Sequence, residues 1–275
     1  MLKQRILTAA VLIPVAVLAV VYLGMIGFAV FTGIFVCLGA WEWAAMSGYG
    51  ESGARGLYVL VIILVAGACL SLINTVLPRW CIYIAAFWWL LPASVLLFRS
   101  RHGAAVVSES RFWKAAMGLV ILAPAWLSLV LLHDRRPDGA SLVLFLLVLI
   151  WIADSSAYFT GRRWGRHKLC PGISPGKTLE GVLGALAATA LFVLAFTLAN
   201  KMQAIESLIF LVICMVTVLV SVSGDLTVSL IKRKAQLKDS GSLLPGHGGI
   251  MDRIDSLTAA GPIFLAGVWL VRGIQ

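Results

Sequence analysis

Nine apolar runs, most of them about as long as a helix needs to cross a bilayer, divide this sequence at short polar intervals. They cover roughly 6–23, 25–46, 57–77, 81–98, 113–133, 140–160, 178–200, 207–231 and 257–274. The pattern predicts an all-α, polytopic integral membrane protein with about nine transmembrane helices, the boundaries allowing eight to ten. Only a residue or two separates the first two runs, which predicts a tight hairpin or a bend. Charged residues are 12% of the chain, against about 25% in a typical soluble domain. No polar stretch is long enough to fold as a soluble domain of its own.

The polar intervals set the orientation. With the N-terminus inside, all of the 22 Lys and Arg except Arg79, Arg135, Arg136, Lys201 and Arg272 fall in inner loops or at inner helix ends. That asymmetry predicts a cytosolic N-terminus under the positive-inside rule. The first run follows Lys3 and Arg5 but is longer than the apolar part of a secretion signal and lacks a clear cleavage site. It reads as a retained first helix. No internal repeat is visible. The five cysteines form no CxxC pair, and four lie in apolar runs, where cysteine acts as a small hydrophobe. Neither a disulfide framework nor a zinc site is expected.

The two halves differ in kind. Residues 1–135 hold few polar groups and read as scaffold helices, runs one to five. Residues 136–275 read as the catalytic half, with cytosolic loops 161–177 and 232–256. Asp154, Glu180, Asp225, Asp239, Asp252 and Asp255 gather there on the inner side, and Glu42 lies near the inner end of the second run. Carboxylates in or beside a membrane span are costly and usually functional.

Three stretches carry the chemistry. In SVSGDLTVSLIKRK, Ser221, Asp225, Ser229 and Lys232 recur at helical spacing and share one face. Asp225 is the only acid inside that run, close enough to the surface to hold a divalent cation. Lys232, Arg233 and Lys234 serve equally well as anchors of the helix end. In KDSGSLLPGHGGIMDRID, Pro245, Gly246, Gly248 and Gly249 forbid a regular helix, and free backbone N–H groups in such a loop can bind an anion. His247 sits among them. Asp252 and Asp255 follow, three apart and on one face if the chain is helical from Ile250; Arg253 between them points elsewhere. Two carboxylates beside a glycine loop and several basic residues suit a Mg²⁺–phosphate site. The third stretch runs from Asp154 to Gly181. There Ser174 reads as an N-cap and Pro175 as the first helical residue of the next run, with Glu180 in its first turn. Lys177 and Thr178 stand at that helix start, which is itself an anion site, but the GxxxxGK[ST] spacing of a P-loop is absent. His102 and His133 read as ordinary loop or interface histidines.

Taken together, Ser229-x-Ile231-Lys232-Arg233, Lys238-Asp239-x-Gly241 and Leu244-Pro245-x-His247-Gly248-Gly249-Ile250-x-Asp252-Arg253-Ile254-Asp255 resemble the signature of the phosphatidate cytidylyltransferases, or CDP-diacylglycerol synthases. Asp154 to Tyr158 and Ser174 to Thr178 are similar to two further blocks of that family. Ser156 stands where the family has Gly, and Leu179 where Trp is common. The resemblance is sharp over about 150–260; in the first half it rests on length and hydropathy. It implies transfer of the cytidylyl group of CTP to phosphatidate, giving CDP-diacylglycerol and pyrophosphate in phospholipid biosynthesis. It also implies a helical membrane homodimer, a cytosol-facing Mg²⁺-dependent site and a second, monovalent cation such as K⁺. Asp225, Asp252 and Asp255 match the positions of the family's metal-binding acids, and Lys232 completes the catalytic set. Substrate binding is expected of Asp154, Ser174, Lys177, Ser229, Arg233, Lys238, His247, Gly248, Gly249 and Arg253. The expected home is a bacterial inner membrane, among lipids and with no nucleic-acid partner.

Two other classes fit less well. A transporter tends to place its polar groups near the midplane, often in repeated halves, whereas here they crowd one face. A CTP-dependent polyprenol kinase would use the same nucleotide but leave a monophosphate on the lipid.

Overall fold

The computed structural model describes residues 2–91, 94, 108–135, 137–243, 246 and 248–272. Among these are nine α-helices: α1 (Leu2–Tyr22), α2 (Met25–Ser47), α3 (Ser52–Ser71), α4 (Leu77–Leu90), α5 (Arg111–His133), α6 (Gly139–Trp164), α7 (Leu179–Ala199), α8 (Ala204–Lys234) and α9 (Met251–Arg272). Seven of them, α2, α3 and α5 to α9, are long and apolar enough to cross a membrane by length and composition. The chain is an integral membrane protein. His102, Pro245, His247 and residues 92, 93 and 95–98 of the span expected over 81–98 lie outside the described residues.

α9 is the central helix. It packs most extensively on α8 and also meets α5, α4, α6 and α2, and it is buried almost continuously from Ser256 to Val268. α3 and α7 lie at the periphery and expose Leu57, Leu60 and Leu64, and Leu183, Leu191, Leu194 and Leu198. In water such rows would be an aggregation hazard; facing lipid they are ordinary. The α8–α9 contact depends on Gly224. A Cβ there would lie 2.6 Å from the Asp255 carbonyl oxygen and 2.9 Å from Ala259 Cβ. Gly224→Val is therefore expected to destabilise by about 1–3 kcal/mol, the usual cost of overpacking. A lowered melting temperature in detergent checks this, and an unchanged one would mean the helices part freely.

Indole and phenol groups tie the first half together across helices. Trp43 Nε1 donates to the Lys114 carbonyl, Trp126 Nε1 to the Ala29 carbonyl and Tyr58 OH to the Ala115 carbonyl, each at 2.9 Å. His133 is structural, as expected: its Nε2 meets the Val20 carbonyl at 3.0 Å and its ring stacks on Phe28. In the second half Phe145 of α6 gathers Phe192 and Phe196 of α7, Phe210 of α8 and Phe264 of α9, with ring centroids 4.6–5.9 Å apart. This cluster fastens one end of the four helices. The polar residues of the sequence motifs lie at the opposite end, where the same helices part.

The fold is all-helical, as expected, apart from one short antiparallel ribbon between α6 and α7, β1 (Lys168–Cys170) and β2 (Ser174–Thr178). Ser174 is therefore not an N-cap and Pro175 not a first helical residue. The ribbon satisfies the backbone that a longer helix would have satisfied, with Lys168 opposite Thr178 and Cys170 opposite Ser174. Pro175, which has no N–H to give, falls in the irregular stretch between those pairs. The cap of α7 is Thr178, whose hydroxyl accepts from Gly181 N at 3.1 Å.

Candidate active site

α8 supplies the first wall of the site. Its 31 residues make a helix about 46 Å long at 1.5 Å per residue, well over the roughly 30 Å of a hydrocarbon core. Asp225 lies 21 residues beyond Ala204, about 32 Å along the axis, so the helix can reach across the core before its acid appears. Ser229, one turn on, donates to Asp225 Oδ1 at 3.2 Å, and Lys177 of β2 pairs with Asp225 Oδ2 at 2.6 Å. Lys232, a further turn along, pairs with Asp252 Oδ1 at 2.6 Å. The shared face read from the sequence is real, and each carboxylate already holds a lysine.

α9 supplies the second wall. Asp252 Oδ2 accepts from Ser240 N at 2.9 Å and Gly249 N at 3.1 Å, so this one side chain joins α8, the loop and the start of α9. Asp255, one turn on, accepts from Ser256 N at 2.8 Å and lies within electrostatic reach of Asp225, Asp154 and Lys177. The Ser256 hydroxyl hydrogen-bonds Asp154 of α6. Gly248 has φ +79°, and a Cβ there would lie 2.8 Å from Asp252 Oδ2, so both the turn and the contact require glycine.

The loop between α8 and α9 is anchored by a residue of the first half. Glu42 of α2 is buried, and its carboxylate accepts from Ser240 Oγ at 2.8 Å, Ile250 N at 3.0 Å and Met251 N at 2.8 Å. It thus caps the N-terminus of α9 from another helix, where an anion is favoured by the exposed N–H groups and the helix dipole. A Cβ at Gly241 or Gly249 would run into this carboxylate. Those two glycines make room for Glu42 as well as shaping a loop. Sequence reasoning marks Glu42 as an acid but finds it no place in the site; a lone acid near the end of an otherwise apolar run is the available signal.

Between α6, α8, α9 and the ribbon opens a cavity of about 800 Å³. Of the residues singled out in the sequence, Asp154, Ser174, Lys177, Asp225, Lys232, Asp252, Arg253 and Asp255 line it. Arg253 faces the cavity beside its two aspartates instead of pointing away from them. Ser229, Gly248 and Gly249 stand behind the wall and support it. Arg233 does not reach the cavity: its guanidinium holds the carbonyls of Ile173 and Leu237, pinning the ribbon turn to α8. Lys238 is exposed and also outside the lining, and His247 lies outside the described residues. Asp239, marked in the sequence as an inner-side acid but given no role in the site, also lines the cavity, as do Lys168 and Arg162. Glu180 is structural, accepting from His167 Nδ1 at 2.6 Å and so tying the ribbon to α7.

The donor set suits a hard cation. The carboxylates of one cavity are held by ammonium groups, and a divalent ion can replace such a partner. Among the described residues no three acids, histidines or cysteines form a closed cage. Mg²⁺ does not need one, since it is commonly held by one or two carboxylates together with substrate phosphates and water.

A family model described as the cytidylyltransferase family matches residues 3–271. The chain belongs to the cytidylyltransferase family. Phosphatidate cytidylyltransferase of Pseudomonas aeruginosa is 43% identical over 269 residues, covering 98% of this chain and 97% of that protein. The Haemophilus influenzae protein of the same name is 36% identical over 284 residues, 96% of this chain and 97% of its own. That of Brucella abortus is 34% identical over 262 residues, 94% and 90% respectively. The family match thus extends through the first half, where the sequence motifs are silent.

Proposed function

We propose that this protein is a phosphatidate cytidylyltransferase, joining CTP and phosphatidate to give CDP-diacylglycerol and pyrophosphate. The observation that carries the reading is the cavity in which acids and bases from α6, α8, α9 and the ribbon face one another at one end of a membrane bundle. A phosphatidate phosphate oxygen bonds to the α-phosphorus of CTP, and the bond from that phosphorus to the bridging oxygen breaks, releasing pyrophosphate with the electron pair. The nucleophile is already an anion, so no strong base is required. The task is to bring two anions into line, which calls for positioning and charge neutralisation. Lys177, Lys232 and Arg253 hold phosphates, and the backbone N–H groups about Gly248 and Gly249, with His247, receive the triphosphate or the departing pyrophosphate. Asp225 and Asp252, with Asp255 as ligand or support, would hold Mg²⁺, which supplies Lewis-acid charge neutralisation when bound. Asp154 would help bind substrate, and the family resemblance adds a second, monovalent cation such as K⁺.

The same reading gives nine spans, a cytosolic N-terminus and a cytosol-facing site in a bacterial inner membrane. It is supported by the basic residues concentrated at the site's end of the bundle. Homodimeric assembly is part of it and rests on the family resemblance. The deciding experiment incubates purified protein and phosphatidate with CTP labelled in the cytidine or in the γ-phosphate. Cytidine label is expected in the lipid product. Label from the γ-phosphate in lipid would instead make the protein a lipid kinase, and no label in lipid would reject group transfer altogether.

A further inference from the structure

A second cavity, of about 310 Å³, runs between α1, α2, α5, α6 and α9. Both cavities fall within the roughly 300–1,000 Å³ of ordinary ligand sites, but this one is apolar. Ala16, Phe35, Trp126, Trp151 and Leu257 are among its walls, and among the described residues its polar lining is Thr32, Thr258 and Arg253. Its lining extends along the helices. α1 contributes from Leu12 to Val20, α2 from Phe28 to Val36 and α6 from Val143 to Trp151, each a length of about 12 Å. An occupant would therefore lie along the bundle axis, as a lipid chain does.

Arg253 lines both cavities. It stands in the first turn of α9, whose Asp252 and Asp255 face the polar cavity while Ile254 and Leu257 face the apolar one. α9 is thus a shared wall, with one guanidinium at the seam. A molecule with an anionic head and a long apolar tail fits that arrangement, head at Arg253 and tail down the groove. Arginine matches phosphate oxygens in a two-pronged geometry, and the groove gives the tail walls of side chains in place of lipid.

We infer that this groove holds one acyl chain of the lipid substrate, with Arg253 gripping the phosphate at its mouth. The inference rests on the function proposed above and adds to it a chain-length selector remote from the reacting atoms. Its occupant is a substrate acyl chain, not a bystander lipid, because the groove opens at the residue that also borders the polar cavity.

The test compares dioctanoyl with dipalmitoyl phosphatidate, presented to the detergent-purified full-length protein with CTP. Ala16→Phe on α1 and Thr32→Phe on α2 each narrow the groove from a different side. Either should lower the ratio of long-chain to short-chain kcat/KM about tenfold or more, the scale on which a pocket discriminates apolar bulk. Arg253→Gln should raise the KM for phosphatidate and leave that for CTP nearly in place. If the wild type turns over both lipids and neither filling variant moves the ratio, the groove assignment is wrong while the function stands. If Arg253→Gln shifts the KM for CTP instead, its placement at the lipid phosphate is wrong, and this arm decides even where a filling variant fails to fold. If the wild type turns over neither lipid, the functional reading itself falls.

Discussion

Asp225→Asn lowers cytidylyl transfer on the order of 10²–10³-fold, the effect of removing one electrostatic group aimed at a charged transition state, and leaves the protein folded. The two halves of that expectation come from different magnitudes. The Lys177–Asp225 pair is partly open, with side chains 25% and 29% exposed, and open pairs contribute about 1 kcal/mol or less. Asparagine keeps the oxygen that Ser229 donates to. Stability should hardly move, so a loss of turnover reports the chemistry. Asp252→Asn should lose as much activity and more stability. Its pair with Lys232 is nearly closed to solvent, at 12% and 7% exposed, and leaving one partner of a buried pair uncompensated costs about 3–5 kcal/mol. Pyrophosphate release and melting temperature, measured together in one detergent, separate the two. Near-normal turnover in Asp225→Asn would remove that carboxylate from the mechanism.

What the sequence makes legible is local. The apolar runs place most helices to within a few residues because membrane burial acts on every residue of a span. Asp225, Ser229 and Lys232 lie on one face because a helix repeats every 3.6 residues, and that needs no knowledge of the rest of the fold. The ribbon escapes because Ser174-Pro175 followed by an acid five residues later is also how a helix begins. Its pairing partner, Lys168 to Cys170, has no strand-like alternation long enough to announce itself. The lysines escape for a different reason. That Lys177 meets Asp225 and Lys232 meets Asp252 depends on how α8, α9 and the ribbon converge, which no spacing encodes. Spacing alone puts Arg253 on the wrong side of its helix, because it assigns one functional face and sends the intervening residue to another. At the first turn of α9 both sides of Arg253 are walls, one of the polar cavity and one of the apolar groove. Glu42 is the extreme case, since its partners lie 198 to 209 residues away in sequence.

Glu42 also provides the sharpest test of how the site is held. Glu42→Ala leaves the Ser240 hydroxyl and the N–H groups of Ile250 and Met251 without their acceptor in a buried setting. Each orphaned group costs about 1–3 kcal/mol, so the loss should be several kcal/mol and turnover should collapse with it. The route is geometric: Ser240 and Gly249, which hold Asp252 through their N–H groups, sit on the loop that Glu42 anchors. Glu42→Gln should be milder, since it keeps one accepting oxygen but turns an amide toward a donor. Gly249→Ala should do comparable harm from the other side, because its Cβ enters the space of the Glu42 carboxylate and the Ser240 hydroxyl. The two lesions then ought not to add. With Glu42 already cut back to alanine, much of the obstruction met by the methyl group that Gly249→Ala introduces is gone. The double variant should be more stable than the sum of the single losses predicts, by about 0.5–3 kcal/mol for groups in contact. Additive losses would mean that Glu42 and Gly249 act separately. A Glu42→Ala protein that melts like the wild type and still turns over would mean that the loop holds its shape by other contacts and that α2 is scaffold after all.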